Sequence, residues 1–341
     1  MSNNKYINMI KQYFKQALAQ LRQQPVISFV SVLGTALAIF LIMLVVMIQQ
    51  VKVAPFSPES NRDRFLHVRF MSIANKSWGD GTSNGPMSVQ TAKACFKSLT
   101  LPEAVTIYSI AAITTPASIP NAPAVSIDLR QTDDTFWTVF DFIFVNGKPY
   151  DEATFNSGLP VAVITESVAR ALFGSTEVSG RSFLLNHAPY TVAGVVKDVS
   201  TLASSAYGQV WIPYTSTNMA TDTWSDNHMG MMSVTILARN NSDFTAIHDE
   251  CEKARQQYNK ILNDNGYELI YRNRPYDQEK QAIDFAANLE PDVKAERRQR
   301  IIIFVILLLV PAINLSSMTQ SRLRQRVSEI GVRRAFGSTR M

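Results

Sequence analysis

The sequence contains a match to a motif of nucleophilic catalysis. Residues 81–85, GTSNG, fit the pattern G-x-S-x-G, in which the serine is a nucleophile when a strand precedes it and a helix follows it. Here polar and glycine-rich residues surround Ser83 on both sides, so residues 71–88 are predicted to form a long loop. Ser83 therefore lacks the strained turn that would activate it, and we do not interpret it as a nucleophile.

Patterns for phosphate, metal and acid–base chemistry are also missing. The Gly-Lys pair at 147–148 is followed by proline and lacks the earlier glycine of a phosphate-binding loop. The four histidines have no metal-ligand spacing, and the acidic pairs at 133–134 and 151–152 are typical of turns or helix caps. The methionines beside His228 suggest either soft-metal binding or, as we favour, a flexible loop over an apolar patch. We predict no catalytic residue, no metal site, no cofactor and no enzyme activity.

Charge is unevenly distributed along the 341 residues. Residues 52–290 carry 19 basic and 25 acidic residues, a net charge of −6, whereas the flanking segments carry 14 basic and 3 acidic residues, a net charge of +11. A nucleic-acid-binding protein would carry its positive charge on a folded domain. Here the positive charge flanks apolar runs, which is typical of membrane proteins. We predict a lipid bilayer as a partner and no nucleic acid.

The N-terminal part of the chain predicts two helices of different kinds. Residues 1–25 place apolar side chains on one helical stripe, as in a helix lying in the membrane interface. Residues 26–49 are predicted to be a transmembrane helix, because their apolar run is uncharged and long enough to cross the hydrocarbon core of about 30 Å. A signal peptide would have a shorter apolar core, and proline follows its only plausible cleavage site, Ala54.

A second apolar run predicts a second transmembrane helix at 296–318. Four basic residues and no acidic ones precede the first apolar run, which places the N-terminus in the cytoplasm, and the arginines that follow the second run agree with a return to that side. Basic residues between 294 and 300 oppose this topology. They either snorkel toward the membrane surface or continue the helix into the outer domain.

Between the two predicted membrane helices, residues 50–295 have the pattern of an α/β extracytoplasmic domain. Two strand–helix–strand units flank a smaller β-rich lobe at about 125–215. The units are Phe65–Phe70, Val89–Leu99 and Val105–Ala111, then Ser233–Ala238, Phe244–Asn263 and Tyr267–Tyr271. The lobe contains the strand Pro160–Thr165, the helix Glu166–Phe173 ended by Gly174, a hairpin of Ser182–Asn186 with Tyr190–Val196, and the strand Gln209–Tyr214.

Two cysteines, Cys95 and Cys251, lie in this domain. An oxidising compartment would permit a disulfide bond between them, but two cysteines do not make a framework from which a pairing can be deduced. The sequence leaves the pairing open.

The residues EIGVRRAFG near the C-terminus predict a short amphipathic helix. Glu329 and Arg333 have the spacing of an ion pair along one helical face. Val332 and Phe336 share another face, and Gly337 is placed to cap the helix. A helix with apolar and charged faces is suited to binding by a partner protein, and attraction to anionic lipid is the alternative.

These nine residues resemble the coupling segment of ABC transporter permeases of the MacB/FtsX type, E-I-G-[IV]-R-[KR]-A-[LF]-G. The aromatic run ending in Gly-Lys-Pro, the stretch LPVAVITESVARALFG and the strand carrying GVVKD resemble the periplasmic core domain of the same family. The resemblance implies a two-lobed periplasmic domain and a cytoplasmic coupling segment, residues 319–341, that docks into a separate ABC ATPase. The implied coupling residues are Glu329, Ile330, Gly331, Val332, Arg333, Arg334, Phe336 and Gly337.

The resemblance also implies a location and further partners. We expect the bacterial inner membrane, with a second permease copy and a possible periplasmic partner. Family members have four membrane helices, so a chain ending at Met341 is expected to be a truncated gene product, a deliberately shortened protein or an incomplete sequence.

The function implied is that of a permease subunit that couples ATP hydrolysis by a separate ATPase to movements of a periplasmic domain, in efflux or mechanotransmission. A two-helix membrane receptor and an FtsX-like regulator of cell-wall hydrolases are the alternatives. Nothing in the sequence selects a substrate.

Overall fold

The computed structural model describes residues 25–218 and 222–336. Two compact units make up the chain, one formed by Val51–Val293 and the other by the residues before and after that range. The interfacial helix predicted over residues 1–25 lies outside the described residues except for Pro25, where the first described helix begins.

Helices and strands are numbered along the described chain. The helices are α1 Pro25–Val53, α2 Val89–Ala92, α3 Phe136–Val139, α4 Glu152–Asn156, α5 Glu166–Phe173, α6 Phe244–Leu262, α7 Gln278–Gln281 and α8 Val293–Ala335. The strands are β1 Phe65–Val68, β2 Met71–Asn75, β3 Thr82–Gly85, β4 Ala104–Ser109, β5 Ile113–Ser118, β6 Val125–Thr132, β7 Phe144–Gly147, β8 Val161–Thr165, β9 Ser182–Leu185, β10 Ala188–Val196, β11 Val210–Pro213, β12 Met232–Leu237 and β13 Tyr267–Ile270.

Helix α1 has the composition of a membrane helix. Its stretch Ser28–Val53 has 26 residues and a mean hydropathy of 2.8, and is long and apolar enough to cross a membrane. Large side chains such as Phe29 and Phe40 are exposed, whereas the small residues Ser28 and Ala38 are buried. Small residues allow close approach of another helix, and the exposed apolar face is suited to lipid.

Helix α8 is continuous over 43 residues, about 65 Å at 1.5 Å per residue. It contains the predicted membrane segment 296–318 and residues 319–335 of the predicted coupling segment, so the short amphipathic helix expected after the apolar run is the C-terminal part of α8. The two parts are continuous because no glycine or further proline lies between Pro311 and Gly331 to interrupt the backbone hydrogen bonds. The basic residues at 294–300 lie in the first turns of α8, before the apolar run that begins at Ile301.

A ten-stranded sheet organises the unit Val51–Val293. Strands β5, β6, β11, β8, β10 and β9 form a closed ring, because β5 pairs with both β6 and β9. Strands β4, β12 and β1 extend the sheet from β6. The ring accounts for the β-rich lobe predicted at about 125–215, although it begins earlier, at Ile113.

One helix and one hairpin predicted within this lobe are confirmed. The helix predicted at Glu166–Phe173 is confirmed as α5, with the side chain of Thr165 accepting a hydrogen bond at its N-terminus and Gly174 ending it in the left-handed conformation at φ 72°. The predicted hairpin is confirmed as β9 and β10. Its turn consists of Asn186 and His187, both at positive φ, as a two-residue hairpin turn requires.

A separate three-stranded sheet, in the order β13, β2, β3, contradicts one prediction. Residues 71–88 are not a long loop, because β2 and β3 pair antiparallel, with Ile73 opposite Ser83. The strands of the second predicted strand–helix–strand unit lie in different sheets, because β12 belongs to the ten-stranded sheet and β13 to the three-stranded one. Strand β3 was not predicted because its residues are polar. Polar residues can still form a strand, since sheet pairing is made by backbone groups that every residue carries.

Both cysteines are buried and unpaired. Cys95 and Cys251 lie in one apolar cluster with Phe96, Ile247 and Tyr271. Burial raises the pKa of the Cys95 thiol to about 11 and that of the Cys251 thiol to about 12. Both thiols are therefore protonated at neutral pH and act as small apolar core residues.

Candidate functional site

Most of the coupling residues predicted from the sequence lie at the C-terminal end of α8. Val332 and Phe336 are 57% and 87% exposed, and the amide of Phe336 donates to the carbonyl of Val332 at 3.1 Å. The two apolar side chains therefore lie one turn apart on the same face. A Cβ atom added at Gly331 would contact nothing within 4 Å, and Arg334 is exposed.

The other predicted coupling residues are described only in part. The backbone of Glu329, Ile330 and Arg333 is helical within α8, and Gly337 lies outside the described residues. The ion pair between Glu329 and Arg333 and the cap at Gly337 stay predictions.

A buried arginine binds the C-terminal end of α1. Arg62 donates from Nη1 to the carbonyls of Val51 at 2.8 Å and Ala54 at 3.0 Å. The last carbonyls of a helix have no partner within the helix, and a cation is favourable there. From Nη2, Arg62 also donates to the carbonyl of Leu202 at 2.8 Å. One side chain thus joins the last turn of α1 to the loop before β11.

Glu59 completes the environment of this arginine. Its Oε2 accepts from Nε of Arg62 at 2.7 Å, and both side chains are 1% exposed. Its Oε1 accepts from the amides of Ser205 at 2.8 Å and Ala206 at 2.9 Å. Both charges are therefore engaged by several hydrogen bonds, which a buried ion pair needs if it is to offset the loss of water.

The side-chain amide of Gln278 makes a second connection to the same helix end. Its Nε2 donates to the carbonyl of Lys52 at 2.8 Å, and its Oε1 accepts from Nε2 of His67 at 3.0 Å. This assigns the proton of His67 to Nε2, so Nδ1 accepts from the hydroxyl of Thr235 at 3.2 Å. Burial lowers the pKa of His67 to about 4, which keeps the ring neutral. We call Glu59, Arg62, His67 and Gln278 the joint.

A second buried arginine shapes residues 271–290, the segment between β13 and α8, which we call the strap. Arg274 pairs with Asp284 through Nη2 and Oδ1 at 2.7 Å, and neither side chain is exposed. It also donates to the carbonyls of Ala286 at 3.2 Å and Ala287 at 3.4 Å. The strap surrounds the guanidinium group of Arg274, and the hydrogen bonds of this group fix the backbone shortly before α8 begins.

Asp133 links the closed ring to the rest of the sheet. Its buried carboxylate accepts from the hydroxyl of Thr106 at 2.6 Å, the amide of Ile107 at 2.9 Å and the amide of Phe136 at 3.1 Å. Lys97 lies 2.7 Å from the same carboxylate. The sequence predicted a turn or cap residue here; Asp133 accepts from the first amide of α3, whose N-cap is Thr135, and it also joins β4 to the end of β6.

A cavity of about 670 Å³ lies beside the strap. Ile270, Tyr271 and Leu289 form its apolar lining, and Glu268 and Arg272 are among its charged lining residues. Ser83 is far from any catalytic geometry, since it lies on β3 within a hairpin and not at a turn from a strand into a helix.

Sequence reasoning missed the joint and the strap. Their hydrogen bonds connect positions that are distant in sequence, such as Gln278 with Lys52 and Arg62 with Leu202. The spacing of Glu59 and Arg62, three residues apart, was the one local signal available. Three-residue spacings of opposite charge are common on exposed helices, so this signal alone does not identify a buried pair.

Comparison of the sequence and structure with known proteins identifies the family of the chain. The profile of the MacB-like periplasmic core domain matches residues 28–254. The uncharacterized ABC transporter permease YknZ of Bacillus subtilis (strain 168) is 22% identical over 209 residues, which are 61% of this chain and 48% of the relative. The macrolide export ATP-binding/permease protein MacB of Burkholderia cenocepacia (strain HI2424) is 26% identical over 214 residues, 60% of this chain and 28% of that protein.

The chain thus spans about half or less of the length of these relatives. Among solved structures, the periplasmic region of MacB from Actinobacillus actinomycetemcomitans is similar with a TM-score of 0.40 and 16% identity, over 60% of this chain and 88% of that one. The match of the family profile over most of the chain carries the assignment. The chain belongs to the family of ABC transporter permeases with a MacB-like periplasmic core domain.

Proposed function

We propose that the chain is the permease subunit of an ABC transport system and passes force from a separate ATPase to its periplasmic domain. The observation that carries this proposal is the continuity of α8, a single helix from the strap to Ala335. A continuous helix moves as one body, whereas a break would absorb displacement locally. Export is the direction named for the MacB relative, and we extend efflux or mechanotransmission to this chain as part of the proposal.

The topology we propose places α1 and α8 across the bacterial inner membrane. The N-terminus is cytoplasmic, the unit Val51–Val293 is periplasmic, and residues 319–341 return to the cytoplasm. A basic cytoplasmic end agrees with the positive-inside rule. The exposed apolar side chains of α8, among them Ile301, Ile306 and Leu308, support a lipid-facing helix.

In this proposal the ATPase binds the end of α8. Val332 and Phe336 enter an apolar groove, and Arg333 and Arg334 lie at its acidic rim. Exposed apolar side chains on a helix face, flanked by cations, are typical of a helix that docks into a groove. ATP-driven closure of the ATPase then moves α8, and the strap transmits this movement to the periplasmic domain through Arg274.

The joint has a complementary role in the proposal. Because Arg62 and Gln278 bind the last carbonyls of α1, the end of α1 is held by the domain. Gln278 also belongs to the strap. In the proposal, displacement of the strap therefore moves both the end of α1 and strand β1, where His67 lies. A second permease copy and a periplasmic partner complete the proposed assembly, with one ATPase for each permease copy.

The test replaces two of the coupling residues. The double variant Gly331→Glu, Phe336→Glu is expected to lose co-purification with the separate ATPase, because it puts acidic side chains against the proposed acidic rim. Gly331→Ala, Phe336→Leu is the matched control. A Cβ atom has room at position 331 and Phe336 is largely exposed, so neither change disturbs the fold. Undiminished binding by the acidic variant would overturn this role for the segment.

A further inference from the structure

One arginine in the wall of the cavity beside the strap has hydrogen-bond donors that the described chain does not use. Arg272 lines the cavity and donates from Nε to the hydroxyl of Ser72 at 3.1 Å. That hydroxyl in turn donates to Oδ1 of Asn84 at 2.6 Å, which fixes the direction of the guanidinium group. Within the described residues, the two Nη groups of Arg272 have neither a hydrogen-bond partner nor an ion pair. They are available to bind an anion.

The other two arginines that line this cavity are already engaged. Arg255 pairs with the carboxylate of Glu252, with Nε 2.8 Å from Oε2, and also donates to a backbone carbonyl. Arg274 is bound by Asp284 and by the carbonyls described above. Of the arginines in the cavity wall, Arg272 is therefore the one that can bind a ligand.

The backbone at Arg272 has an unfavourable conformation. Arg272 and Asn273 have φ angles of 54° and 61°, in the left-handed region that residues other than glycine rarely adopt. The hydroxyl of Tyr276 donates to the carbonyl of Arg272 at 2.5 Å, and the side-chain amide of Asn273 donates to Oε2 of Glu290 at 2.6 Å. Unfavourable conformations that surrounding contacts maintain occur preferentially at ligand-binding and active sites. The backbone is thus a second observation, independent of the free Nη groups, that indicates binding.

The cavity has the size and the lining of a small-molecule site. Its volume of about 670 Å³ lies within the roughly 300–1,000 Å³ that is typical of ligand sites. Ile270, Tyr271 and Leu289 supply an apolar wall, and Leu289 is 64% exposed, so a ligand can cover apolar surface there. An apolar wall beside one directed cation is suited to a ligand with an apolar body and an anionic end.

The charges of the cavity favour a carboxylate over a phosphate. A guanidinium group can bind either anion through two parallel hydrogen bonds. Two of the three glutamates in the lining are paired with basic residues. The third, Glu268, is exposed and has no ion pair within the described residues. Its charge opposes a phosphate monoester, which carries about −1.5 to −2 at neutral pH, more strongly than it opposes a carboxylate with a single charge.

We propose that this cavity binds a small molecule that has one carboxylate and an apolar body. The carboxylate accepts from both Nη groups of Arg272, and the apolar body packs on Ile270 and Leu289. The cavity is lined by residues of β13, α6 and the strap, so the bound molecule contacts all three. The site is separate from the coupling residues on α8, and its existence does not depend on the proposed function.

Binding of 4-phenylbutyrate to the full chain in a nonionic detergent tests this site, with 4-phenylbutyramide as the uncharged comparison. Isothermal titration calorimetry measures both affinities, after subtraction of titrations into detergent micelles alone. We expect a Kd of about 1 mM for the acid. The amide is expected to bind about tenfold more weakly, because it lacks the charge-assisted pair of hydrogen bonds. Equal affinities, or no binding of the acid at about 10 mM, would overturn the proposal.

Substitutions locate the binding within the chain. Arg272→Gln is expected to weaken binding of the acid about tenfold and to leave binding of the amide unchanged, because the fork of donors is lost. Arg272→Lys keeps the charge without the fork and is expected to be intermediate. Arg170→Gln removes one positive charge from the exposed surface of α5 and is the matched control. Glu268→Gln is expected to improve binding of phenyl phosphate more than binding of the acid.

A further variant keeps the test decisive if Arg272→Gln does not fold. Leu289 is largely exposed, so Leu289→Gln leaves the fold intact and is expected to weaken binding of the acid about threefold through lost apolar contact. Unchanged affinity in Arg272→Gln or in Leu289→Gln would overturn the assignment to this cavity. Tighter binding of phenyl phosphate than of 4-phenylbutyrate by the unmodified chain would overturn the choice of a carboxylate.

Discussion

Single buried arginines bind backbone carbonyls at several points of the periplasmic domain. Arg62 holds the end of α1, Arg274 holds the strap, and Arg130 donates to the carbonyls of Ser109 at 2.8 Å and Ser204 at 3.1 Å. The planar guanidinium group offers five donors in fixed directions, so it can satisfy several carbonyls from different segments at once. Lysine at these positions would keep the charge and lose this geometry.

Protonation of His67 is the residue-scale prediction. Its folded pKa of about 4 lies below the ordinary 6.5, so between these values the unfolded chain binds a proton that the folded chain does not. Stability is therefore complete above pH 6.5 and decreases as the pH falls toward 4, by about 1.4 kcal/mol per pH unit. Thermal unfolding of the chain in detergent, followed by the fluorescence of its four tryptophans, measures this slope.

All four tryptophans lie between residues 78 and 224, so the signal reports on the domain. His67→Gln serves as the comparison, because glutamine does not titrate. Its slope between pH 6.5 and 5 is expected to be flatter by the contribution of His67. Equal slopes in the two proteins would show that the imidazole is not held neutral.

At the scale of elements, the strap contains one fully buried ion pair, between Arg274 and Asp284. Arg274→Ala is expected to destabilise the domain by about 3–5 kcal/mol, because it leaves Asp284 buried without its partner. The matched control is Arg170→Ala on α5, whose pair with Glu166 at 3.3 Å is solvent-exposed and worth at most about 1 kcal/mol. Denaturant unfolding of both variants measures the difference. Similar losses in the two would contradict the role assigned to Arg274.

At the scale of the whole molecule, the proposed function predicts that the continuity of α8 matters more than the identity of any residue in its first turns. Replacing Arg297 and Arg298 by glycine is expected to abolish ATP-dependent changes in tryptophan fluorescence while ATPase binding is retained, since each glycine costs the helix about 1 kcal/mol and adds freedom. Replacing both by alanine removes the same charges, keeps the helix, and is expected to preserve the response.

An unchanged fluorescence response in the glycine variant would show that α8 does not carry the movement. Loss of the response in the alanine variant would assign the effect to charge. The two outcomes are separable because alanine and glycine differ here only in helix propensity.

The parts of the molecule that sequence predicted well are those encoded locally. The apolar run of α1, the helix α5 between Thr165 and Gly174, and the hairpin with its turn at Asn186 each follow from residues near one another in the chain. Local backbone preferences and short-range hydrogen bonds decide such elements, so a single sequence contains the needed information.

The predicted coupling segment was anticipated only in part. Its helical spacing followed from the sequence, and the exposed positions of Val332 and Phe336 on α8 agree with it. The sequence joined it to the end of the membrane helix without fixing whether the backbone bends there, and the structure has one helix through both parts.

By itself the sequence determined that an apolar segment long enough to cross a membrane is joined to a folded, acidic domain, because hydropathy and charge are properties of the chain. Only the tertiary structure decided that six strands close into a ring, that the polar residues 82–85 form a strand, and that Arg62, Gln278 and Arg274 fix the ends of the domain. These outcomes depend on which distant groups meet in three dimensions. The partner of a buried charge or of a backbone group outside the ladders depends on the fold. The spacing of residues along the chain does not predict that partner.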